Sequence, residues 1–362
     1  MTTDLLESKS RQHKAKKVLL NSPRGFCAGV EMAISSLAWM VKLFPAPVYC
    51  YHEIVHNKSV VKIFENAGVI FVDSIDEVPE GAPVMLSAHG SPPDVVNKAK
   101  EVGKYMVNAV CPLVTKVHHE AKTQSKKGLE IIYVGHAGHD EAIGTQAMAP
   151  NNITLVENVE DFKEKLAEIQ ARVEDPSQVG LLSQTSLPVE EWKEVEVAAK
   201  EHFPEIWTAK RSDLCFATTN RQAAVRAVAP EVDTMVVIGS NNSSNTIALA
   251  KVAKEYGAKE VYRIDSVEEL EDKDFTPDQI VGVTAGASAP ESLIQEVVAW
   301  LNPEDGVEEK FIVEEGEYFP LPPNMRNFID GVEKVSNRLF GSSEEESFMD
   351  IQVNRLLKAL AK

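Results

Sequence analysis

No run of about 20 consecutive apolar residues occurs in this 362-residue chain, and Met1 to Lys17 is polar with mixed charge. Neither a membrane-spanning helix nor a secretory leader is therefore expected, and the cytoplasm is the expected compartment. Cysteine is scarce: four residues, at 27, 50, 111 and 215, too few for a disulfide framework and too widely separated for a Cys-x-x-Cys site. Basic residues are in deficit, with 37 Lys and Arg against 55 Asp and Glu, for a formal net charge of −18. With no basic stripe to neutralise phosphates, this balance argues against a nucleic-acid partner, and none is expected. A small anionic ligand held by local hydrogen bonds is not.

At 44% hydrophobic and 25% charged, the composition is that of a soluble globular protein, and the length implies two or three domains. Short apolar runs alternate with helix-periodic segments from Lys17 onward. Strands are expected over Lys17–Leu20, Pro47–Tyr51, Gly68–Val72, Ala82–Ser87, Met106–Ala109, Glu130–Val134, Ile153–Val156, Val179–Leu182, Thr234–Gly239, Glu260–Ile264 and Gln279–Val283. Helices are expected over Val30–Val41, Ser59–Ala67, Leu113–Lys127, from Ala142 to Met148, and over Val159–Ile169, Val189–His202, Arg221–Val228, Ile247–Tyr256 and Glu291–Leu301. The pattern of strand, polar loop and helix recurs in three cycles of about 85 to 105 residues, which predicts a three-lobed α/β protein. The expected domains are residues 29–111, residues 112–211, and residues 17–28 joined with 212–322. Beyond Glu308 the chain reads as acidic and irregular, and residues 323–362 as an acidic tail with a disordered linker at Ser342–Glu346 and a short amphipathic helix over Phe348–Ala361.

Candidate chemistry collects at the strand-to-helix junctions, where open α/β sheets bind ligands. Cys27, Cys111 and Cys215 each stand at such a junction, while Cys50 lies inside a strand and reads as a core residue. A lone thiol in a turn is usually packing. Three at equivalent places match the ligand count of a metal centre with one open position, and all-thiolate donors suit zinc or an iron–sulfur cluster. A thiol such as Cys27 near a helix N-terminus is expected to favour the thiolate. His56 and His89 end strands in the same way, with helix capping as the plain alternative. Ser183-Gln184-Thr185-Ser186 reads equally as an N-capping run or as a site. The loops at Ser240–Thr246 and Thr284–Pro290 offer hydroxyl, amide and backbone donors at helix starts, where phosphate is stabilised.

Eight segments together carry a resemblance: Pro23-Arg24-Gly25-Phe26-Cys27-Ala28-Gly29-Val30, Glu53-Ile54-Val55-His56-Asn57, Ser87-Ala88-His89-Gly90, Cys111-Pro112-Leu113-Val114, Gly138-His139-Asp140-Glu141, Gln184-Thr185, Ser243-Ser244-Asn245 and Ala285-Gly286-Ala287-Ser288. In this order, from about Lys17 to Leu321, they resemble the 4-hydroxy-3-methylbut-2-enyl diphosphate reductase family. The resemblance implies a three-lobed α/β trefoil with one 4Fe-4S cluster per chain on Cys27, Cys111 and Cys215 and a fourth iron open to the substrate hydroxyl. It implies reductive removal of that hydroxyl, giving isopentenyl and dimethylallyl diphosphate, with a ferredoxin- or flavodoxin-type electron donor. Glu141 is the matching proton donor, with Thr185 to relay or orient it. The diphosphate site carries over to His56, His89, His139, Thr185, Ser243, Ser244, Asn245 and Ser288, donors that let an acidic protein hold an anion locally. A non-catalytic iron–sulfur sensor and an iron–sulfur hydro-lyase are the rival classes.

The chain departs from the family pattern at Glu31-Met32-Ala33, at Thr185-Ser186, where Thr-Thr is usual, and at Thr246-Ile247-Ala248-Leu249. Met32 and Ala248 each stand where an arginine is common, so diphosphate affinity or docking of the electron donor is expected to differ. Asp140 replaces a usual proline and is expected to raise the pKa of its neighbour Glu141 by like-charge repulsion.

Overall fold

The computed structural model describes residues 13–103, 105–210, 212–340 and 353–360. In chain order the elements are β1 (Lys17–Ser22), α1 (Ala28–Leu43), β2 (Val48–Tyr51), α2 (Lys58–Asn66), β3 (Val69–Val72), β4 (Pro83–Leu86), α3 (Pro93–Val102), β5 (Tyr105–Asn108), α4 (Pro112–Lys126), β6 (Glu130–Val134), α5 (Asp140–Gln146), β7 (Ile153–Val156), α6 (Val159–Ala171) and β8 (Val179–Ser183). There follow α7 (Val189–His202), β9 (Trp207–Thr208), α8 (Phe216–Val228), β10 (Thr234–Ile238), α9 (Ser244–Glu255), β11 (Glu260–Ile264), β12 (Ile280–Ala285), α10 (Glu291–Leu301), β13 (Val307–Phe311), α11 (Pro323–Phe340) and α12 (Val353–Leu360). Five elements, β6, β7, β11, α7 and α10, have the expected bounds. They end at turn residues or start behind a proline, Pro188 for α7 and Pro290 for α10, that the local sequence announces.

The chain divides into two compact units, one ending at Phe26 and resuming over Asn220–Glu315, the other made of Cys27–Thr219 and residues from Gly316 on. In the five-stranded unit the parallel sheet has the order β11-β10-β12-β1-β13. Both faces of its centre are covered, so β10 is buried along its whole length and is apolar from Met235 to Ile238. Val18, Leu20, Val236, Ile238, Val281 and Val283 pack with α10 on one side. Leu19, Met235 and Val237 pack with Val225, Leu249 and Val252 on the other. The two-sheet unit holds two parallel sheets, of order β3-β2-β4-β5 and β7-β6-β8-β9. The mixed α/β class with parallel sheets, three in all among the described residues, is the class the sequence predicts.

Two stretches expected to be irregular are regular. β13, Val-Glu-Glu-Lys-Phe, pairs in parallel with β1 at the sheet edge, with alternate residues exposed. Its charged composition hides a strand, because an edge strand tolerates and even benefits from Glu and Lys. Lys17 Nζ meets Glu308 at 2.6 Å and Arg24 Nη1 meets Glu309 at 2.6 Å. α11 begins on Pro323 and buries Met325 and Ile329, one helical turn apart. Phe328 joins Phe44 and Tyr105 in an aromatic cluster with ring centroids 5.0 to 5.7 Å apart. Asn324 Nδ2 donates to the Met106 carbonyl at 2.7 Å. The expected C-terminal helix is described over Val353–Leu360, with Val353, Leu356 and Leu357 buried; the linker expected at Ser342–Glu346 lies outside the described residues. Cys50 is fully buried in β2, as a core residue should be. No helix among the described residues is long and apolar enough to cross a membrane.

Within the five-stranded unit, Arg221 is fully buried on α8 and secures the turn that leads into Cys27. Its guanidinium donates to the Gly25 carbonyl at 2.9 and 3.2 Å and to both Glu315 carboxylate oxygens at 2.9 and 3.0 Å. Arg221→Met is expected to destabilise this unit by about 3 kcal/mol, because it removes the partner of a partly buried carboxylate and of the Gly25 carbonyl. Chemical denaturation followed by tryptophan fluorescence, through Trp300 of α10, checks this. A shift below about 1 kcal/mol would show the clamp to be dispensable.

Candidate active site

In the two-sheet unit, Cys27 and Cys111 are the N-caps of α1 and α4, and neither side chain is spent on a capping hydrogen bond. Cys215 precedes α8, which begins five residues earlier than Arg221. Its Sγ accepts from the Thr218 N–H at 3.2 Å and lies 3.0 Å from Thr218 Oγ1. A Cβ on Gly29 would sit 2.8 Å from Cys111 Sγ and 4.0 Å from Cys27 Sγ, so this glycine is a cradle that any side chain would fill. Burial pushes the Cys111 thiol up to about 12 and the Cys215 thiol up to about 11, with the neighbouring thiols adding to both. For these two, helix N–H groups pull the other way and lose, so thiolates here require a positive charge among them.

Among the described residues the three sulfurs are not all within 4.8 Å of one another, whereas the ligand atoms of His56, His89 and Asp140 are. One tetrahedral zinc ion, with Zn–S bonds of about 2.3 Å, would draw three sulfurs to about 3.8 Å spacing. The wider spread of an otherwise all-sulfur donor set suits a multi-iron cluster.

Glu141, in the first turn of α5, is 3% exposed. The Thr185 N–H donates to Glu141 Oε1 at 2.7 Å and Thr185 Oγ1 donates to Oε2 at 3.0 Å. The Thr185 carbonyl in turn accepts the Cys215 N–H at 3.0 Å, so one residue ties the acid to the backbone of a cysteine. Burial raises the Glu141 carboxyl to about 7, the two Thr185 bonds oppose it, and the charge of Asp213 adds to it. Asp140 plays no part in this shift, contrary to expectation. Its carboxylate turns away, to His52 Nδ1 at 2.8 Å and His89 Nδ1 at 3.7 Å. Burial pushes Asp140 up, but His52, His56 and His139 outweigh it and hold the carboxyl below its usual range.

The three expected histidines meet. His56 and His89 stack with ring centroids 4.0 Å apart, and His139 sits edge-on to both at 5.4 and 6.1 Å. Asn57, not His56, caps α2, and Pro92 rather than His89 stands at the start of α3. Burial, then the mutual repulsion of imidazolium charges, lowers His89 well below its ordinary value and His139 to about 4. His139 Nδ1 accepts the Glu141 N–H at 3.1 Å, so the neutral ring carries its proton on Nε2 and can donate there. The Ser183–Ser186 run does not cap α7, whose N-cap is Pro188. Ser186 accepts from Gln184 Nε2 at 2.9 Å instead.

In the five-stranded unit, Ser243 caps α9, while Ser244 and Asn245 lie inside its first turn and not in the loop before it. β10 and β12 are neighbours, so their following loops are adjacent, and Asn245 Oδ1 accepts the Ala287 N–H at 3.1 Å across them. Ser288 lies in the second of these loops, 7% exposed. Thr246 Oγ1 donates to Ser243 Oγ at 3.0 Å and occupies space that a side chain on Gly239 or Gly286 would take. Met32 and Ala248 are 5% and 1% exposed, so these departures lie inside the protein and not on a face that a donor protein could touch.

Sequence reasoning missed His52, Asp213 and His118. His52 adopts a left-handed φ of 57°. Asp213 accepts from the Ser183 N–H at 3.2 Å and Lys116 at 3.2 Å, and its carboxyl is raised by burial. His118 is pushed down to about 4 by burial and fills the space left by Gly90 and Gly144. None has a motif to announce it; each acquires its role from residues distant in sequence.

Parallel sheets that present thiols, imidazoles and a buried acid at the ends of their strands define, as a class, an α/β enzyme with a donor set for a soft metal centre. Comparison with known proteins narrows the class. A family model described as LytB protein matches residues 18–302. A 4-hydroxy-3-methylbut-2-enyl diphosphate reductase of Acidothermus cellulolyticus is 44% identical over 313 residues, 86% of this chain and 90% of the relative. One of Rhodopirellula baltica is 45% identical over 314 residues, covering 86% and 96%. Among solved structures, the E-1-hydroxy-2-methyl-but-2-enyl-4-diphosphate reductase of Plasmodium falciparum matches with a TM-score of 0.81 and 32% identity over 88% of this chain and 99% of that one. A second, described as the terminal enzyme of the non-mevalonate pathway, matches with a TM-score of 0.57 and 32% identity over 79% and 98%. The chain belongs to the LytB protein family.

Proposed function

We propose that the chain removes the hydroxyl group of 4-hydroxy-3-methylbut-2-enyl diphosphate with two electrons and two protons, giving water with isopentenyl and dimethylallyl diphosphate. This is the last step of the methylerythritol phosphate route to isoprenoids. The observation that carries the reading is Thr185, which holds both oxygens of a buried acid and the backbone of a cysteine at once. Glu141, with its carboxyl near 7, keeps its proton in a site closed to bulk water and can deliver it where the hydroxyl departs as water.

Cys27, Cys111 and Cys215 would hold one 4Fe-4S cluster per chain, with no fourth cysteine at hand because Cys50 is committed to β2. When bound, such a cluster supplies Lewis acidity toward the leaving oxygen and a path for electrons. Neutral His89 and His139 offer hydrogen-bond donors to the diphosphate, together with His56; Thr185 belongs to the same site, its hydroxyl donating to Glu141 Oε2 here and able to turn to the ligand only by giving up that bond. In the five-stranded unit, Ser243, Ser244, Asn245 and Ser288 are the donors this reading assigns to the same ligand. Each of the three sheets would be the centre of one domain, residues 29–111, 112–211, and 17–28 with 212–322. A ferredoxin- or flavodoxin-type protein would bring the electrons.

The test is an anaerobic assay of cluster-replete protein with a reduced viologen dye. Dye oxidation that depends on the allylic diphosphate, two electrons per molecule consumed, is the expected result. Water loss without dye oxidation would indicate a hydro-lyase, and no reaction at full iron content would indicate a sensor.

A further inference from the structure

The imidazoles beside Glu141 have a second capability. Asp140 Oδ1 is engaged by His52 Nδ1 at 2.8 Å, which aims Oδ2 at His89 Nδ1. That second separation is 3.7 Å, too long for a hydrogen bond, and His89 Nδ1 is buried with no hydrogen-bond partner. It is close to the distance of about 3.4 Å between two N/O ligands of one tetrahedral zinc ion with bonds near 2.1 Å. His56 completes a trio whose ligand atoms all lie within 4.8 Å of one another, and because its ring is stacked nearly parallel to that of His89, holding one ion requires the two rings to turn until both lone pairs point at it. Two imidazoles and one carboxylate form a recognised zinc donor set with one position left open. His52 supplies the outer hydrogen bond that such sites use to orient a carboxylate, and it does so from a left-handed backbone that a non-glycine residue adopts only under constraint.

We propose that His56, His89 and Asp140 form a binding site for Zn²⁺, and that zinc there competes with the diphosphate for the two histidines. The competition rests on the reductase reading; the metal site does not. Soft-to-borderline divalent cations fit it, whereas Mg²⁺, which demands six oxygen ligands, does not.

Equilibrium dialysis of the anaerobic, cluster-replete full chain against Zn²⁺, with iron counted in parallel, tests the site. One zinc per chain is expected without loss of iron and without displacement by millimolar Mg²⁺. Asp140→Asn is expected to weaken binding by at least about 10-fold, and His52→Gln by about 10-fold through the carboxylate it orients. In the reductase assay zinc should raise the KM for the allylic diphosphate and leave kcat unchanged. Zinc uptake unaltered in Asp140→Asn, or matched by iron release from the thiols, overturns the site. A fall in kcat at constant KM overturns the competition. If zinc binds as described and the protein turns over no allylic diphosphate, the reductase reading fails while the site stands.

Discussion

Glu141→Gln is expected to bind the allylic diphosphate with near-normal affinity and to lose about 10²- to 10⁴-fold in turnover, the range for removing a positioned general acid. The amide fits the same space. The Thr185 hydroxyl can turn from donor to acceptor, so the fold and the Cys215–Thr185 bond should persist. Ligand binding by calorimetry and single-turnover kinetics separate the two effects. A rate within a few-fold of normal would remove Glu141 as the proton source.

The pH dependence follows with its sign. Burial raises the Glu141 carboxyl to about 7, so the group holds its proton below neutrality and gives it up as pH rises through that value. Turnover limited by proton delivery should therefore fall above pH 7, and the fall should be absent from the residual activity of Glu141→Gln. Asp140→Asn should keep the limb where it is, because the Asp140 carboxylate faces His52 and His89. A limb displaced by a full unit in that variant would restore the repulsion that adjacency in sequence suggests.

Serine at Cys27, Cys111 or Cys215 is expected to abolish reductase activity, with iron falling well below four per chain. A hydroxyl is too weak an acid to replace a thiolate in a donor set of only three. Cys50→Ala is the matched control and should keep its iron, since Cys50 packs inside β2. Iron and sulfide counting with electron paramagnetic resonance on anaerobic protein reads both. Full iron in Cys111→Ser would exclude that sulfur as a ligand, and loss of iron in Cys50→Ala would show that the strand interior, not the thiol set, controls cluster content.

Much of the framework is legible in the order of residues alone. The bounds of β6, β7, β11, α7 and α10 can be read to the residue, because short strand-forming runs end at turn residues and α7 and α10 start directly after Pro188 and Pro290. The elements that escape such reading are those whose reason lies elsewhere in the chain. β13 is a strand because β1, some 290 residues earlier, offers it a hydrogen-bonding edge. α11 is held by Met106, Tyr105 and Phe44, more than 200 residues before it. The opening turns of α8 and α9 resemble loops because Thr, Ser and Asn favour caps in general, yet here they continue the helix.

The amino-acid sequence by itself determined the class of sheet, the placement of Cys27, Cys111, Cys215, His56, His89, His139 and Glu141 at the ends of strands or the starts of helices, and the family to which they belong. These are local properties, set by apolar periodicity and by the residues that can begin a helix. Only the tertiary structure decided the partners. Asp140 stands next to Glu141 in the chain, and its carboxylate nevertheless serves His52, 88 residues away. Asp213, distant in sequence, is the carboxylate that bears on Glu141. Charge acts through space and through the medium between groups, and neither is written in the order of residues.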